Sequence, residues 1–384
     1  LEFVPEKRGK SGMKKTLLVT LDFLPKKGGV ATHLHNIAEF FGENVIVVTP
    51  SQDNDFGFDS AQNFKVFRKS LLYKFFWPRF LKAFFVIKEI CKKEKAEILA
   101  VNDVLPLGYA ALVLKCFFRI PYFVFLHGLD FNLAKINFWK RFWLKKILKN
   151  AKFVVCNSRH LENKVKGLDS KLETLVVYPT PKIPSFSAEG GSASGGEAMG
   201  GEGRFKKGKV IFSLGRLIQR KGFDKLIPAF SKIKEMIPDA LLVIAGKGPK
   251  EEFLKKLASG NSSIIFVGEI GEKQKWAFYN LCDLFALPTR EINGDIEGFG
   301  IVYLEAAAFG KPSVAGRVGG VSEAVLDGET GILVNGKSVD EIAEAIMKLL
   351  KDDILRKEMG ERAKRIVLEE FKTDRQVSKI TDLL

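Results

Sequence analysis

The sequence predicts an α/β protein made of two doubly wound, parallel-sheet domains facing one another across a cleft. Three observations carry this. Short β-branched or aromatic runs alternate with helix-period patterns from Thr16 to Tyr178, as βαβ units do. The alternation stops over residues 184–206, a run dense in Gly, Ser, Ala and Glu that cannot bury a core. It then restarts at Val210 and continues to Glu370. With 384 residues, 46% of them hydrophobic, the chain is long enough for two domains with ordinary cores.

In the first half, apolar runs bounded by polar or turn residues predict strands at 17–21, 44–49, 64–67, 98–101, 122–126, 153–156 and 175–177. Between them, apolar residues at helical spacing predict helices near 30–41, 78–94, 106–118, 138–149 and 159–166. In the second half the strands are 210–214, 241–245, 264–267, 284–287, 313–315 and 331–334. The helices there fall near 223–235, 250–257, 272–279, 301–309, 340–350 and 354–370. The organisation is then a tail, native or added, at 1–12 ahead of Met13, a first domain at 13–183, a flexible linker at 184–206 and a second domain at 207–370. A last segment, 371–384, is expected to cross back to the first domain.

Composition narrows the function classes. The chain lacks the run of some 18 apolar residues that a membrane span needs, and Asp22 ends the apolar stretch after Met13 too early for a signal peptide. Four cysteines with no CxxC are expected to be reduced, mostly buried thiols in a cytoplasmic protein. Four histidines without HExxH or a Cys/His cluster predict no metal site. Charge is lopsided: residues 1–183 hold 31 Lys and Arg against 16 Asp and Glu, nearly the whole formal surplus of +16. The first half is therefore expected to meet something anionic.

The stretch most suggestive of chemistry is Glu297–Glu305 (EGFGIVYLE), a glycine-rich loop running into a helix. Backbone N–H groups of Gly298, Phe299, Gly300 and Ile301 at a helix start favour an anion such as phosphate. Glu297 and Glu305, acceptor-only groups about 7 Å apart along the axis, could grip hydroxyls at two ends of one ligand. The alternative is a helix start whose acids cap it and face water. Gly215-Arg216-Leu217 and Lys221-Gly222 follow a predicted strand, where Arg forks and Lys point charges bind phosphate; alone, they read equally as a basic surface loop. Gly28-Gly29 opens a helix after the first strand, suiting close approach of a ligand or a tight turn. His127 follows the strand at 122–126, where it is either structural or functional.

Two motifs are rejected. Gly331–Ser338 (GILVNGKS) matches Walker A spacing, but its interior is itself a strand. Asp53-Asn54-Asp55 lies in a polar turn-like stretch and reads as a solvated loop. Two segments mix aromatics with cations, 71–90 and 135–150. In the second, helical geometry puts Ile136, Trp139, Trp143, Leu144, Ile147 and Leu148 on one face, with Arg141, Lys145, Lys146, Lys149 and also Phe138 and Phe142 opposite. That pattern fits an anionic bilayer interface, nucleic acid, or a helix whose aromatics are core.

Taken together, GRL-x3-RKG, the GKGP turn at Gly246–Pro249, EGFGIVYLEA and Gly319-Gly320-Val321-Ser322-Glu323 with Asp327-Gly328-Glu329-Thr330-Gly331 resemble the retaining glycosyltransferases of family 4. The resemblance runs over most of residues 13–370 and is nearest in flavour to phosphatidylinositol mannosyltransferases and related lipid or polysaccharide enzymes. It implies two Rossmann-like domains in the GT-B arrangement. Arg216 and Lys221 would hold the donor diphosphate, Glu297 the sugar hydroxyls, the amides of Gly298–Ile301 sugar and phosphate, and Glu305 the ribose. Gly28 and Gly29 would let the first domain close over the donor, and His127 would line the sugar and acceptor site. Phe138, Arg141, Phe142, Lys145 and Lys149 would face the membrane or acceptor. The expected reaction moves a hexose, such as mannose, from a GDP- or UDP-linked sugar to a lipid-linked or membrane-proximal acceptor, with no cofactor and no metal, at the inner face of the membrane. A nucleotide-sugar epimerase, a glycoside hydrolase and a non-enzymatic binder of anionic membrane or nucleic acid are the rivals.

Overall fold

The computed structural model describes residues 13–26, 28–53, 55–134, 137–183 and 208–384; the tail at 1–12 and the linker at 184–206 lie outside them. The chain divides into two compact units. One runs to Tyr178 and takes in Thr373–Leu384; the other is Pro179–Lys372.

The first unit holds seven parallel strands: β1 Thr16–Val19, β2 Val45–Thr49, β3 Lys65–Arg68, β4 Ile98–Val101, β5 Tyr122–Leu126, β6 Val154–Cys156 and β7 Thr174–Val176, in the order 3-2-1-4-5-6-7. Alternate side chains of a strand point to opposite faces. Leu17 and Val19 therefore join a core with helices Leu81–Glu94, Val104–Phe118 and Phe138–Asn150, while Leu18 joins a second core with helix Gly29–Phe41. Both faces are covered, which is why the strands read as unbroken apolar runs. The C-terminal helix Thr373–Thr381 buries Val377 and Ile380 in that second core, each side chain worth roughly 1.5–3 kcal/mol. Gln376 there accepts the Tyr178 N–H at 3.1 Å.

The second unit holds β8 Val210–Leu214, β9 Leu241–Ala245, β10 Ile264–Gly268, β11 Leu284–Leu287, β12 Ser313–Gly316 and β13 Gly331–Val334, parallel, in the order 10-9-8-11-12-13. In each sheet the chain winds outward in two directions from a switch point, β1/β4 in the first and β8/β11 in the second. The loops leaving the C-terminal ends of such a strand pair diverge and open a crevice between them.

The structure corrects some sequence expectations. β1 stops at Val19, because Thr20 turns the chain: its hydroxyl donates to Asp22 O at 3.0 Å and accepts from Asp22 N at 2.9 Å. The helix expected from Pro78 begins at Leu81. In helix Phe138–Asn150 only Leu144, Ile147 and Leu148 are buried. Trp139, placed on the core face by periodicity, is 70% exposed, since the core lies against the later turns alone. Lys145, placed on the polar face, is partly covered.

Candidate functional site

The charged cluster of the second unit sits at its switch point. The loop after β8 carries Gly215–Gly222 and the loop after β11 carries Pro288–Gly300; because β8 and β11 are hydrogen-bonded neighbours, residues some 76 positions apart meet. Lys221 Nζ lies 2.5 Å from Glu297 Oε2, and Arg220 Nη1 donates to the same oxygen. Arg220 Nε in turn pairs with Asp295 Oδ2 at 3.1 Å. The Glu297 and Lys221 side chains are each 13% exposed. Burial pushes the Glu297 carboxyl upward, but Lys221 and Arg220 outweigh it and hold the pKa at about 2. Glu297 is therefore ionised at any working pH.

Glycines make this convergence possible. Gly319 has φ +60°, and a Cβ there would stand 2.2 Å from Glu297 O; Gly320 N–H donates to that oxygen. Gly246 and Gly248 let the GKGP turn press on the loop after β8, where Leu217 N–H donates to Lys247 O at 3.0 Å. The Lys221 stem passes Gly215, its Cδ and Cε 3.7 Å from where a Cβ would stand, an ordinary van der Waals contact. Arg216 is exposed, on the residue next to Gly215. The helix Ile301–Ala308 starts from Gly300, at φ +90°, with no side-chain cap, so the first-turn amides keep their capacity to donate to an anion.

Glu305 takes a different environment from the one a water-facing cap would have. It is 4% exposed, and receives Lys275 Nζ at 2.8 Å and the Tyr279 hydroxyl at 3.1 Å from helix Glu272–Leu281. Burial raises its pKa, opposed by Lys275. Lys275 also lies 4.1 Å over the Trp276 ring. The two carboxylates are thus held by different elements: Glu297 by the loop after β8, Glu305 by the preceding helix.

The first unit has a polar cluster at its own switch point. Thr20 follows β1, Asn102 and Asp103 follow β4, and His127 follows β5. Asn102, 2% exposed, contacts Thr20 Oγ1 at 3.1 Å, Asp103 Oδ2 at 2.9 Å and His127 Nε2 at 2.8 Å. Burial lowers the His127 pKa to about 4, and that of His33, whose ring meets His127 edge-on at 5.8 Å, to about 3. Gly28 and Gly29 stand where helix Gly29–Phe41 begins, Gly28 at φ +156°.

Sequence reading singled out Lys221, Glu297 and His127, which lie in these clusters, and did not point to their neighbours Arg220, Asp295, Lys275, Tyr279 and Asn102. Arg220 had a signal, adjacency to Lys221 in RKG, and Asp295 stands two residues before Glu297. Nothing in the sequence marked Lys275 and Tyr279, a pair at i, i+4 on an ordinary helix. Among the described residues no group of three or more His, Cys, Asp or Glu could hold a metal ion.

Two family models match successive stretches of the chain: Glycosyltransferase Family 4 over residues 27–181 and Glycosyl transferases group 1 over residues 197–366. The chain belongs to the glycosyltransferases. This glycosyltransferase is 39% identical over 180 residues to a GDP-mannose-dependent alpha-(1-6)-phosphatidylinositol monomannoside mannosyltransferase of Mycolicibacterium smegmatis, 46% of this chain and 47% of the relative. That match spans about half the relative's length. It is 29% identical over 385 residues, 97% of the chain and 98% of the relative, to a GDP-mannose-dependent monoacylated alpha-(1-6)-phosphatidylinositol monomannoside mannosyltransferase of Corynebacterium glutamicum. Among solved structures, a sucrose-phosphate synthase from Thermosynechococcus elongatus superposes with a TM-score of 0.80 at 20% identity, over 96% of this chain and 97% of that one. Anabaena HepE in complex with UDP and glucose gives 0.76 at 19%, over 96% and 98%. These likenesses establish the GT-B fold for this glycosyltransferase.

Proposed function

We propose that this glycosyltransferase moves a hexose, mannose from GDP-mannose being the reading its relatives favour, to a lipid-linked or membrane-proximal acceptor with retention of anomeric configuration. The observation that carries the donor half is the convergence of Lys221, Arg220 and Glu297 beside the uncapped start of helix Ile301–Ala308. A diphosphate leaving group gathers negative charge as the anomeric C–O bond breaks, and Lys221, Arg216 and the helix-start amides would stabilise it in the role a metal ion plays elsewhere. Glu297 would accept hydroxyls of the sugar and Glu305 those of the ribose. In a front-face transfer, the acceptor oxygen bonds to the anomeric carbon and its proton passes to the departing diphosphate, so no protein base is required. His127 would line the sugar and acceptor side.

The acceptor half rests on surface chemistry. Helices Leu81–Glu94, Val104–Phe118 and Phe138–Asn150 pack side by side, Tyr109 meeting Trp143 at 5.5 Å and Phe84 meeting Phe118 at 6.1 Å. On and beside this layer Phe75, Trp77, Phe85, Phe117, Phe138 and Trp139 are all more than half exposed, interleaved along the chain with Lys74, Arg79, Lys82, Lys88 and Arg141. No helix of the described residues is long and apolar enough to cross a membrane. Exposed aromatics ringed by cations suit peripheral attachment to an anionic leaflet, each cation adding about 1 kcal/mol. Lys149, paired with Asp169 at 3.0 Å, contributes less.

Two measurements test the reading. Transfer assayed with GDP-, UDP- and ADP-linked sugars should be lost in Glu297→Gln and Lys221→Ala while both variants stay folded; normal rates in both would end it. Co-sedimentation with vesicles should rise with anionic lipid content, and binding indifferent to lipid charge would remove the membrane half.

A further inference from the structure

Lys221 and the donor diphosphate are joined in the reading above, yet Lys221 Nζ is already committed to Glu297 Oε2 at 2.5 Å, and Arg220 shares that oxygen. We infer that Lys221 is exchanged between two anions: it neutralises Glu297 until a nucleoside diphosphate takes it, while Arg220 stays behind to hold the carboxylate for the sugar. This deepens, and rests on, the proposed donor site.

The two cations differ in what else restrains them. Arg220 lies between two carboxylates, its Nη1 hydrogen-bonded to Glu297 and its Nε 3.1 Å from Asp295, and a planar guanidinium facing both cannot follow one anion without giving up the other. Lys221 is a point charge on a flexible stem. Among the described residues its one ion pair is with Glu297, and its stem runs past Gly215, beside exposed Arg216. A swing of the ammonium toward Arg216 keeps it over the loop after β8. Charge balance points the same way. Arg220 and Lys221 offset Asp295 and Glu297, so a diphosphate arriving at a neutral quartet finds its lysine only by outcompeting Glu297. Once Lys221 has moved, Glu297 keeps one cation in place of two, and its carboxylate becomes a stronger acceptor for a sugar hydroxyl. Diphosphate binding thereby arms the group that grips the sugar. Arg220 is thus a positioning residue, acting through Glu297.

The exchange makes an unusual prediction, since deleting a residue of the donor site should improve nucleotide binding. GDP and UDP are titrated calorimetrically into the full-length protein and into Glu297→Gln, Arg220→Gln, Arg220→Lys and the double variant Glu297→Gln/Lys221→Met. Glutamine cannot hold the ammonium as a carboxylate does, so Glu297→Gln should bind the nucleoside diphosphate about tenfold more tightly, and Lys221→Met should erase that gain. Arg220→Gln leaves Lys221 as the sole cation on Glu297, so nucleoside diphosphate binding should weaken several-fold, with Arg220→Lys restoring part of it. Equal or weaker binding by Glu297→Gln, with the parent protein binding normally, overturns the exchange and leaves the donor site standing. A gain that survives Lys221→Met also overturns it. Failure of the parent protein to bind any nucleoside diphosphate overturns both. Thermal melts of each variant show whether the comparison is between folded proteins, and the double variant supplies the answer should Arg220→Gln not fold.

Discussion

His127 donates from Nε2 to Asn102 Oδ1 at 2.8 Å, and the surroundings of Asn102 decide that direction. The Asn102 amide nitrogen is spent on Thr20 Oγ1 and on the Asp103 carboxylate, both acceptors here because the Thr20 proton goes to Asp22 O. The amide oxygen is therefore the atom that faces the imidazole. A ring proton on Nε2 leaves Nδ1 as the acceptor.

Asn102→Ala should release that choice. With the pKa held near 4 by burial, the parent His127 is expected as a single neutral Nε2–H tautomer from pH 8 to pH 5.5 in nitrogen-detected NMR. The alanine variant should mix tautomers. Asn102→Asp, which sets a second carboxylate beside Asp103, should raise the imidazole pKa instead. A parent spectrum dominated by Nδ1–H would contradict the assignment.

Acid should destabilise the first unit through its buried histidines, opposed by Asp130, whose carboxyl burial raises to about 6. His33, 2% exposed, has its pKa lowered from 6.5 to about 3, mainly by burial and then by His127. In the unfolded chain it binds its proton near pH 6.5, so the unfolded state holds more protons between pH 6.5 and about 3, and stability falls as pH drops through that window. His127 adds loss between 6.5 and about 4. In the second unit Glu297, lowered to about 2, brings a separate loss between 4.5 and 2. Urea melts at pH 7 and pH 5 should differ by more in the parent than in His33→Asn.

Lys275→Met should leave Glu305 buried without its cation. Removing one partner of a buried pair costs about 3–5 kcal/mol, and the penalty should shrink toward lower pH as the carboxyl takes up a proton, burial already having raised its pKa. Tyr279→Phe, which loses a hydroxyl shared between Glu305 Oε2 and Val302 O, each at 3.1 Å, should cost about 1–2 kcal/mol. Denaturant midpoints at pH 7.5 and 5.5 separate the two effects.

Gly319→Ala should disturb Glu297 without touching its side chain. A Cβ at φ +60° would stand 2.2 Å from Glu297 O and 2.5 Å from Ile296 Cγ2, so the loop after β11 must move. A loss of at least about 2 kcal/mol is expected, together with weaker nucleotide binding. Arg216→Ala is the control in the opposite sense: exposed, it should change stability by less than about 0.5 kcal/mol while weakening the nucleoside diphosphate.

The alternation of apolar runs and helical periods was enough to read two parallel-sheet units and nearly every strand, because a strand covered on both faces must be apolar throughout. The same reading placed Lys221 and His127 in loops after strands, where α/β sheets expose polar groups, and Glu297 just before a helix start. It could not say which loops meet. Strand order did that: β8 beside β11 brings Lys221 and Arg220 to Glu297, and β1 beside β4 brings Thr20 to Asn102. Trp139 was misplaced because periodicity marks a helix face without marking how far along the helix the core extends. The partners of Glu305 stayed hidden for a related reason: a lysine and a tyrosine one turn apart look like surface until a neighbouring helix is seen to bury a carboxylate against them. Local pattern is written in adjacent residues, whereas a site is assembled by contacts between residues far apart in the chain, and those exist only once the sheets have chosen their order.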